Sequence, residues 1–165
     1  MSFNNWIEPS IEDHADEFER VCEDEGIDTQ DLLDAFKNAK SIMLSSSDWA
    51  RLENTDSWEI ESLSDARIKA ELYERDIDSI IDGFNAGNEM IMPLILERGD
   101  GSLVLVGGNT RLMVAKALNI QPRVLKINVP KAQANVDYRN LTNESKLFKV
   151  DLLRKFIRSQ LKTLV

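Results

Sequence analysis

A glycine pair followed by three polar residues, at positions 107–111, is the stretch of this sequence best suited to bind a ligand. An apolar run at 104–106 leads into it, and a helical pattern that includes Leu112 and Met113 leads out of it. At such a strand-to-helix turn, the first backbone N–H groups of the helix lack partners and attract anions. The helix macrodipole disfavours a cation such as Arg111 in the first turn by about 0.3–1 kcal/mol, unless a bound phosphate reverses the local sign. The pattern therefore predicts an anion-binding turn.

The same residues also allow an interpretation without a ligand. In it, Gly107 and Gly108 serve a tight turn. Asn109 or Thr110 caps the helix, and Arg111 pairs with a surface carboxylate. Composition alone does not separate the two interpretations.

A second polar run, at positions 53–58, concentrates side chains that accept hydrogen bonds, hold magnesium through water or act as general bases. Asn, Thr, Asp and Ser side chains also bond to nearby backbone, so the run has the composition of a tight turn. From composition alone, we favour the turn.

The composition places these residues in one domain with extensions. A chain of 165 residues forms a single hydrophobic core but hardly two independent domains. No apolar run approaches the roughly 18–20 residues of a membrane span, and the N-terminus lacks the layout of a signal peptide, so we expect a soluble, cytoplasmic protein. With a single cysteine, Cys22, the sequence offers no intrachain disulfide and no His/Cys cluster for zinc. We therefore predict no metal ligands.

Charge is distributed unevenly along the chain. The net charge of −9 disfavours a protein that binds DNA over its whole surface. Residues 1–110 carry 26 Asp and Glu against 8 Lys and Arg, whereas residues 111–165 carry 12 Lys and Arg against 3 Asp and Glu. We expect the two parts to pair with each other. The alternative is that each part faces a different partner, with the acidic helices binding a protein.

Hydrophobic periodicity predicts an α+β fold. Helices are expected at 11–25, where Ser10 and Asp13 form a capping box, and at 29–40; together they form an acidic extension over residues 1–40. The core spans 41–130, with strands at 41–44, 94–96, 103–106 and 123–129. A helical region between Ser64 and Gly87, broken near 73–76, has an apolar face made of Ile68, Leu72, Ile77, Ile80, Ile81 and Phe84.

Residues 131–165 are predicted to form a polar connector, at 131–142, and a basic amphipathic helix. From Asn143 onward, six apolar residues recur at helical spacing and basic residues flank them; the apolar residues are Leu147, Val150, Leu153, Ile157, Leu161 and Leu164. Such a helix lies on an anionic membrane, touches nucleic acid or docks on an acidic body. We expect intramolecular docking or self-association, with a homodimer as the simplest form of the latter.

The segment from about residue 58 to residue 129 resembles the ParB/sulfiredoxin superfamily. The matching features are Pro93 before an apolar strand, a glycine-containing hairpin, the turn at 107–112, and the helix and strand after it. The turn and the run at 53–58 are most similar to small members encoded by tailed bacteriophages. The resemblance implies a ParB/sulfiredoxin-like core with a small mixed sheet, located in the host cytoplasm if the protein is phage-encoded.

The resemblance also implies that nucleotide phosphates bind at the turn, where backbone amides cradle them and the arginine contacts them. The expected ligand is ATP or CTP, with Mg²⁺ as an optional companion. The implied binding residues are Gly107, Gly108, Asn109, Thr110 and Arg111. The fold analogy brings the upstream run near the turn, which makes Asp56 the first candidate for a base or magnesium anchor, with Glu53 next and Glu59 and Glu61 behind.

Two departures from the family pattern limit the chemistry. Asn109 occupies the position of the sulfiredoxin catalytic cysteine, which excludes peroxiredoxin repair, and Thr110 replaces an arginine of the partitioning proteins. The first hypothesis is a small phosphotransferase or nucleotide hydrolase. The alternative is a noncatalytic nucleotide-sensing or protein-interaction module. A DNA-binding or nuclease protein is the second alternative, and no convincing helix-turn-helix supports it.

Overall fold

In the structure, a computed structural model that describes residues 3–130, the chain forms helices and short strands. The strands are β1 (Trp6–Ile7), β2 (Lys40–Met43), β3 (Met90–Ile91), β4 (Leu94–Arg98), β5 (Leu103–Gly107) and β6 (Arg123–Val129). The α-helices are α1 (Ala15–Glu25), α2 (Thr29–Lys37), α3 (Ser46–Ala50), α4 (Leu63–Leu72), α5 (Asp78–Ala86) and α6 (Asn109–Ala117), with 3₁₀ turns at Glu12–His14 and Ser57–Glu59. The connector and basic helix predicted for 131–165 lie outside the described residues.

Four of the strands form a mixed sheet in the order β2-β6-β4-β5. β4 and β5 are an antiparallel hairpin in which Ile95 faces Leu105, and β6 runs parallel to β4 and antiparallel to β2. Parallel strands need a crossover connection, and between β4 and β6 the chain makes it through β5 and α6. The sheet and its helices confirm the predicted α+β class.

The helical extension predicted for residues 1–40 shares one hydrophobic core with the sheet. Phe18 of α1 and Leu32 of α2 are fully buried in the same core as Ile95 and Ile127. α1 contacts β5, and α2 contacts β6. Apart from Glu25, which is buried, the acidic residues of these helices therefore lie on the outer side of elements that the core requires.

Local signals in the sequence correctly predicted several helix ends. At the start of the first helical segment, the Ser10 N–H donates to Asp13 Oδ2 at 2.6 Å and the Asp13 N–H donates to Ser10 Oγ at 3.3 Å. Gly26 ends α1 and Gly87 ends α5, each in the left-handed conformation that glycine adopts at low cost. The capping box and both glycine stops are thus confirmed.

Two short elements escaped prediction, and one helix is shorter than expected. β1 and β3 form a separate parallel pair in which Trp6 faces Met90. Two residues per strand are too few for a periodic signal. The helix expected to reach residue 40 ends at Lys37, because Lys40 already belongs to β2.

The apolar face predicted between Ser64 and Gly87 is wrong in α4, whereas Ile77, Ile81 and Phe84 in its second half are buried as predicted. Ala66 and Ala70 are fully buried, whereas Ile68 is 67% exposed and Leu72 is 71% exposed. The core accepts small residues at this position because α4 packs closely against α6. No helix among residues 3–130 has the length and apolar character needed to cross a membrane.

Candidate functional site

The turn between β5 and α6 requires glycine at both of its positions. Gly108 has a φ of +95°, and a Cβ added to it would lie 2.8 Å from Pro93 Cα. A Cβ added to Gly107 would lie 2.5 Å from Nδ1 of His14. The turn is therefore fixed by Pro93 on one side and by a buried imidazole on the other.

The N-terminus of α6 is open. The first backbone hydrogen bond of the helix runs from the Leu112 N–H to the Gly108 carbonyl at 3.1 Å. Gly108 is the N-cap residue, and no side chain caps the helix. The alternative interpretation, in which Asn109 or Thr110 caps the helix, is therefore wrong on this point. The N–H groups of Asn109, Thr110 and Arg111 have no acceptor within residues 3–130.

The guanidinium of Arg111 folds back towards this open helix end. Its Nη2 would lie 3.2 Å from a Cβ added to Gly108. In the part of the chain that the structure describes, Arg111 makes no hydrogen bond and no ion pair, so the expected surface carboxylate is not found there. Burial lowers the pKa of Arg111, and the charges of Asp13 and Glu17 partly oppose this shift. The arginine is thus a cation partly withdrawn from water without a counter-ion in contact.

A cavity of about 600 Å³ opens in front of the helix end. This volume falls within the usual range for small-molecule sites, roughly 300–1,000 Å³. All five residues of the predicted turn line it, and with Arg111 included its wall carries three cationic and three acidic side chains. The charged side chains are Arg20, Arg75, Arg111, Glu17, Asp56 and Asp76.

Asn109 connects the turn to the upstream polar run. Its Nδ2 donates to Asp56 Oδ2 at 2.7 Å, and its Oδ1 accepts from Thr55 Oγ1 at 2.9 Å and from the Asp56 N–H at 3.1 Å. The network continues through a 2.8 Å contact between the Thr55 and Ser57 hydroxyls, and Trp49 Nε1 donates to Ser57 Oγ at 2.7 Å. The structure thus places Asp56 beside the turn.

Asp56 is held as a carboxylate by its neighbours. Arg75 Nη1 donates to its Oδ2 at 3.2 Å, and Lys69 Nζ lies 3.5 Å from its Oδ1. Partial burial acts to raise the pKa of Asp56, but hydrogen bonds from Asn109 and Arg75 and the nearby positive charges outweigh burial and lower the pKa. A carboxylate stabilised in this way is a weak base. Its geometry suits Asp56 to position Asn109 and Arg75 rather than to accept a proton.

Glu53, the second candidate base, points elsewhere. Its carboxylate accepts from Arg98 Nη1 at 2.8 Å, and its backbone pairs with Leu103 and Leu105 of β5. Glu53 does not line the cavity. Glu59 is likewise engaged, since its carboxylate accepts from Lys69 Nζ at 3.0 Å.

Sequence reasoning missed the charged residues that other elements contribute to the cavity. Glu17 and Arg20 come from α1, where their spacing resembled an ordinary solvated face, and Arg20 Nη2 donates to the Val106 carbonyl at 2.9 Å. Arg75 comes from the break between α4 and α5 and lies over the Tyr73 ring at 4.7 Å. For Arg75, the available signal in the sequence was the presence of an arginine within the predicted break at 73–76.

His14 was missed as well. The imidazole is 2% exposed, and neither ring nitrogen has a hydrogen-bond partner within residues 3–130. Burial and the charge of Arg111 lower its pKa, while Glu17 and Asp13 oppose the shift. Its spacing with Phe18 and Val21 is that of one buried helix face, which is the signal that places it in the interior.

The arrangement can hold an anion and offers no direct metal cage. Open N–H groups and a guanidinium converge on one side of the cavity, as in phosphate sites at helix N-termini. Among residues 3–130, no three His, Cys, Asp or Glu side chains are grouped to hold a metal ion. A magnesium ion that accompanied a nucleotide would take its ligands mainly from phosphate and water.

Comparisons with known proteins assign no relative to the chain. No protein-family model matches it, and no curated protein or solved structure is similar enough to count as a match. The functional argument therefore depends on the geometry of the site.

Proposed function

We propose that this protein binds a phosphate-bearing ligand, a nucleotide in the first instance, at the N-terminus of α6. The observation that carries the proposal is the Arg111 guanidinium, which lies beside three open N–H groups without a counter-ion among residues 3–130. A partly buried cation at the positive end of a helix is unfavourable until an anion joins it. A phosphate group would satisfy both the helix end and the arginine.

The size of the cavity supports a nucleotide rather than an isolated phosphate. A volume of about 600 Å³ leaves room for a sugar and base beyond the phosphate-binding end. ATP or CTP, with Mg²⁺ held by its phosphates, fits the expectation raised by the ParB/sulfiredoxin resemblance. We propose that the turn belongs to that class of phosphate site.

Binding without turnover is the form of the proposal that the side chains favour. Asp56, the candidate base, is bonded to Asn109 and Arg75 and has a lowered pKa. Hydrolysis or transfer of the bound phosphate is the second candidate function, supported by Glu17. The Glu17 carboxylate lines the same cavity and accepts no hydrogen bond within residues 3–130.

The direct test is ligand-induced stabilisation of the full chain by ATP, CTP and inorganic phosphate, each with and without Mg²⁺. Because a ligand that binds only the folded state stabilises it by about 2.7 kcal/mol at a concentration one hundred times Kd, melting should shift upward by several degrees. Arg111→Gln should abolish the shift. Arg67→Gln is the matched control, since Arg67 is an exposed partner of Asp78. Absence of a shift with all three ligands would overturn the proposal.

The chain also contains its own reporter. His14 is its single histidine, and the charge of Arg111 contributes to lowering the pKa of the imidazole. An anion bound to Arg111 offsets that charge, so the pKa of His14 measured by NMR should rise when the ligand is added.

Turnover is tested separately. Release of product by the wild type but not by Glu17→Gln would establish turnover in addition to binding.

A further inference from the structure

The helix α4 presents its large apolar side chains to solvent. Ala66 and Ala70 are fully buried against the body of the protein, whereas Ile68 and Leu72 are 67% and 71% exposed. Residues four positions apart lie on the same side of a helix, so Ile68 and Leu72 form one outward stripe. The body of the protein uses the small residues of this helix and leaves the large ones uncovered.

Two exposed aromatic residues lie near this stripe but not in it. Tyr73 directly follows α4 and is 51% exposed, three positions after buried Ala70. Trp58 is 59% exposed in the 3₁₀ turn at Ser57–Glu59 and lines a separate cavity with Trp49 and Lys116. We call the exposed pair of Ile68 and Leu72 the α4 face. Exposed apolar residues that cluster mark interaction surfaces, whereas scattered ones do not.

The surroundings of the α4 face are acidic. Residues 58–76 carry six Asp and Glu and three Lys and Arg. The basic residues are already engaged, Arg67 with Asp78, Lys69 with Glu59 and Arg75 with Asp56. Within the described part of the chain, Glu61, Glu71 and Glu74 make no ion pair. A partner that combines apolar and basic residues therefore complements this face.

We propose that the α4 face is the docking site for residues 143–165 of the same chain. This segment has six apolar residues at helical spacing, and it carries six Lys and Arg against two Asp and Glu. Its pattern thus supplies both properties that the face lacks. A second copy of the α4 face would be a poorer occupant, because it would bring like charges together.

The chain is long enough to reach the face. Twelve residues, 131–142, separate the end of the described chain from the segment, and they span up to about 40 Å when extended. The radius of gyration expected for a domain of this size is about 14 Å, which corresponds to a sphere about 36 Å across, so the extended connector is as long as the body is wide.

The test is methyl NMR of the full chain, comparing the wild type with the double variant Leu153→Asp/Ile157→Asp. Loss of docking should shift the Ile68 and Leu72 methyl signals while those of buried Ile95 stay in place. Ser159→Asp is the matched control, because it adds a negative charge in the same segment but away from its apolar stripe. Ile68→Glu/Leu72→Glu gives the reciprocal experiment; since both positions are exposed, the fold should tolerate it, and the Leu153 and Ile157 signals should shift.

Three results would overturn the proposal. Ile68 and Leu72 signals that stay unchanged in the double variant would show that the segment does not cover them. A shift of equal size in Ser159→Asp would show a general charge effect instead of docking. Sedimentation that reveals a dimer in the wild type and a monomer in the double variant would assign the occupant to a second copy.

Discussion

Two arginines, at opposite ends of the central hairpin strands, occupy contrasting environments. Arg98, at the end of β4, is 7% exposed, and its Nε and Nη2 donate to both carboxylate oxygens of Glu25 at 2.6 and 2.8 Å. Its Nη1 donates to Glu53 at 2.8 Å. Arg111, just beyond the end of β5, has neither a hydrogen bond nor an ion pair within residues 3–130. Hydrogen bonds from Arg98 to Glu25 raise the pKa of Arg98, whereas burial lowers that of Arg111.

The difference separates a structural cation from one that we propose receives a ligand. The charge of Arg98 is neutralised within the fold, so removing it leaves a buried carboxylate behind. Arg111 is held near its place without an internal partner, so removing it costs the folded state little. The contrast predicts that stability should respond to one arginine and ligand binding to the other.

The largest effect is expected at the paired arginine. Arg98→Ala leaves the buried carboxylate of Glu25 without its partner, and the free energy of unfolding should fall by about 3–5 kcal/mol in urea denaturation. The exposed pair of Arg67 and Asp78 provides the control, since Arg67→Ala should cost less than about 1 kcal/mol. Equal losses in the two variants would remove the basis of the comparison.

A smaller loss of stability is expected in the hydrogen-bond network that joins Asn109 of the turn to Asp56. Asn109→Asp replaces a donor 2.7 Å from Asp56 Oδ2 with a second carboxylate oxygen, and should cost about 1–3 kcal/mol at neutral pH. The loss should shrink near pH 4, where one of the two carboxyls becomes protonated. The same change at exposed Asn119, which has a φ of +53° just beyond α6, serves as the control and should cost no more than about 0.5 kcal/mol. A loss that did not depend on pH would contradict charge repulsion as its cause.

The next effect is a dependence of stability on pH that originates at His14, the buried imidazole beside Gly107. The folded chain lowers the pKa of His14 from 6.5, so the unfolded chain binds a proton that the folded chain resists. The free energy of unfolding should therefore be constant above about pH 7 and fall as the pH drops below 6.5, by at most about 1.4 kcal/mol per unit.

His14→Leu should remove this slope in denaturation curves recorded between pH 5 and 8. The carboxylates with lowered pKa values, Asp56 among them, lose their contribution at lower pH, as the solution passes below their ordinary value of 3.8. The pH range in which His14 changes stability therefore lies above the range in which these carboxylates do. Persistence of the slope in the variant would assign it to another group.

The smallest effect on stability is expected at the unpaired arginine. Arg111→Gln should change the free energy of unfolding by no more than about 0.5 kcal/mol, because no internal ion pair is lost. Phosphate binding should nevertheless disappear, as isothermal titration with ATP would measure. A destabilisation as large as that of Arg98→Ala would show that Arg111 is a structural residue after all.

The sequence predicted the parts of the fold that local physics controls. The capping box at Ser10, the glycine stop at Gly87 and the hairpin between β4 and β5 each depend on a few neighbouring residues. The orientation of α4 depends instead on how closely α6 approaches it, and residue types alone favoured the wrong face. Pairing of β1 with β3 joins residues more than eighty positions apart, for which a single sequence gives no signal.

The candidate site shows the same division. The glycines, Asn109 and Arg111 follow one another in sequence, so their convergence on the turn was predictable. Asp56 was placed beside them by family resemblance, and its engagement by Asn109 and Arg75 became visible in three dimensions. Glu17, Arg20 and His14 reach the site from α1 and the turn before it, through packing that charge patterns do not reveal.

The order of the central sheet has a consequence for how the chain folds. β6, the last strand among the described residues, lies between β2 and β4, and β2 pairs with no other strand of that sheet. A nascent chain that has not yet released residue 129 from the ribosome therefore holds β2 without a hydrogen-bonding partner. Such distant pairing slows folding, because the chain loses the entropy of loop closure before the stabilising contacts between the strands form. The turn proposed to bind a ligand is complete in sequence by Arg111, so it is synthesised before the strand that closes the central sheet.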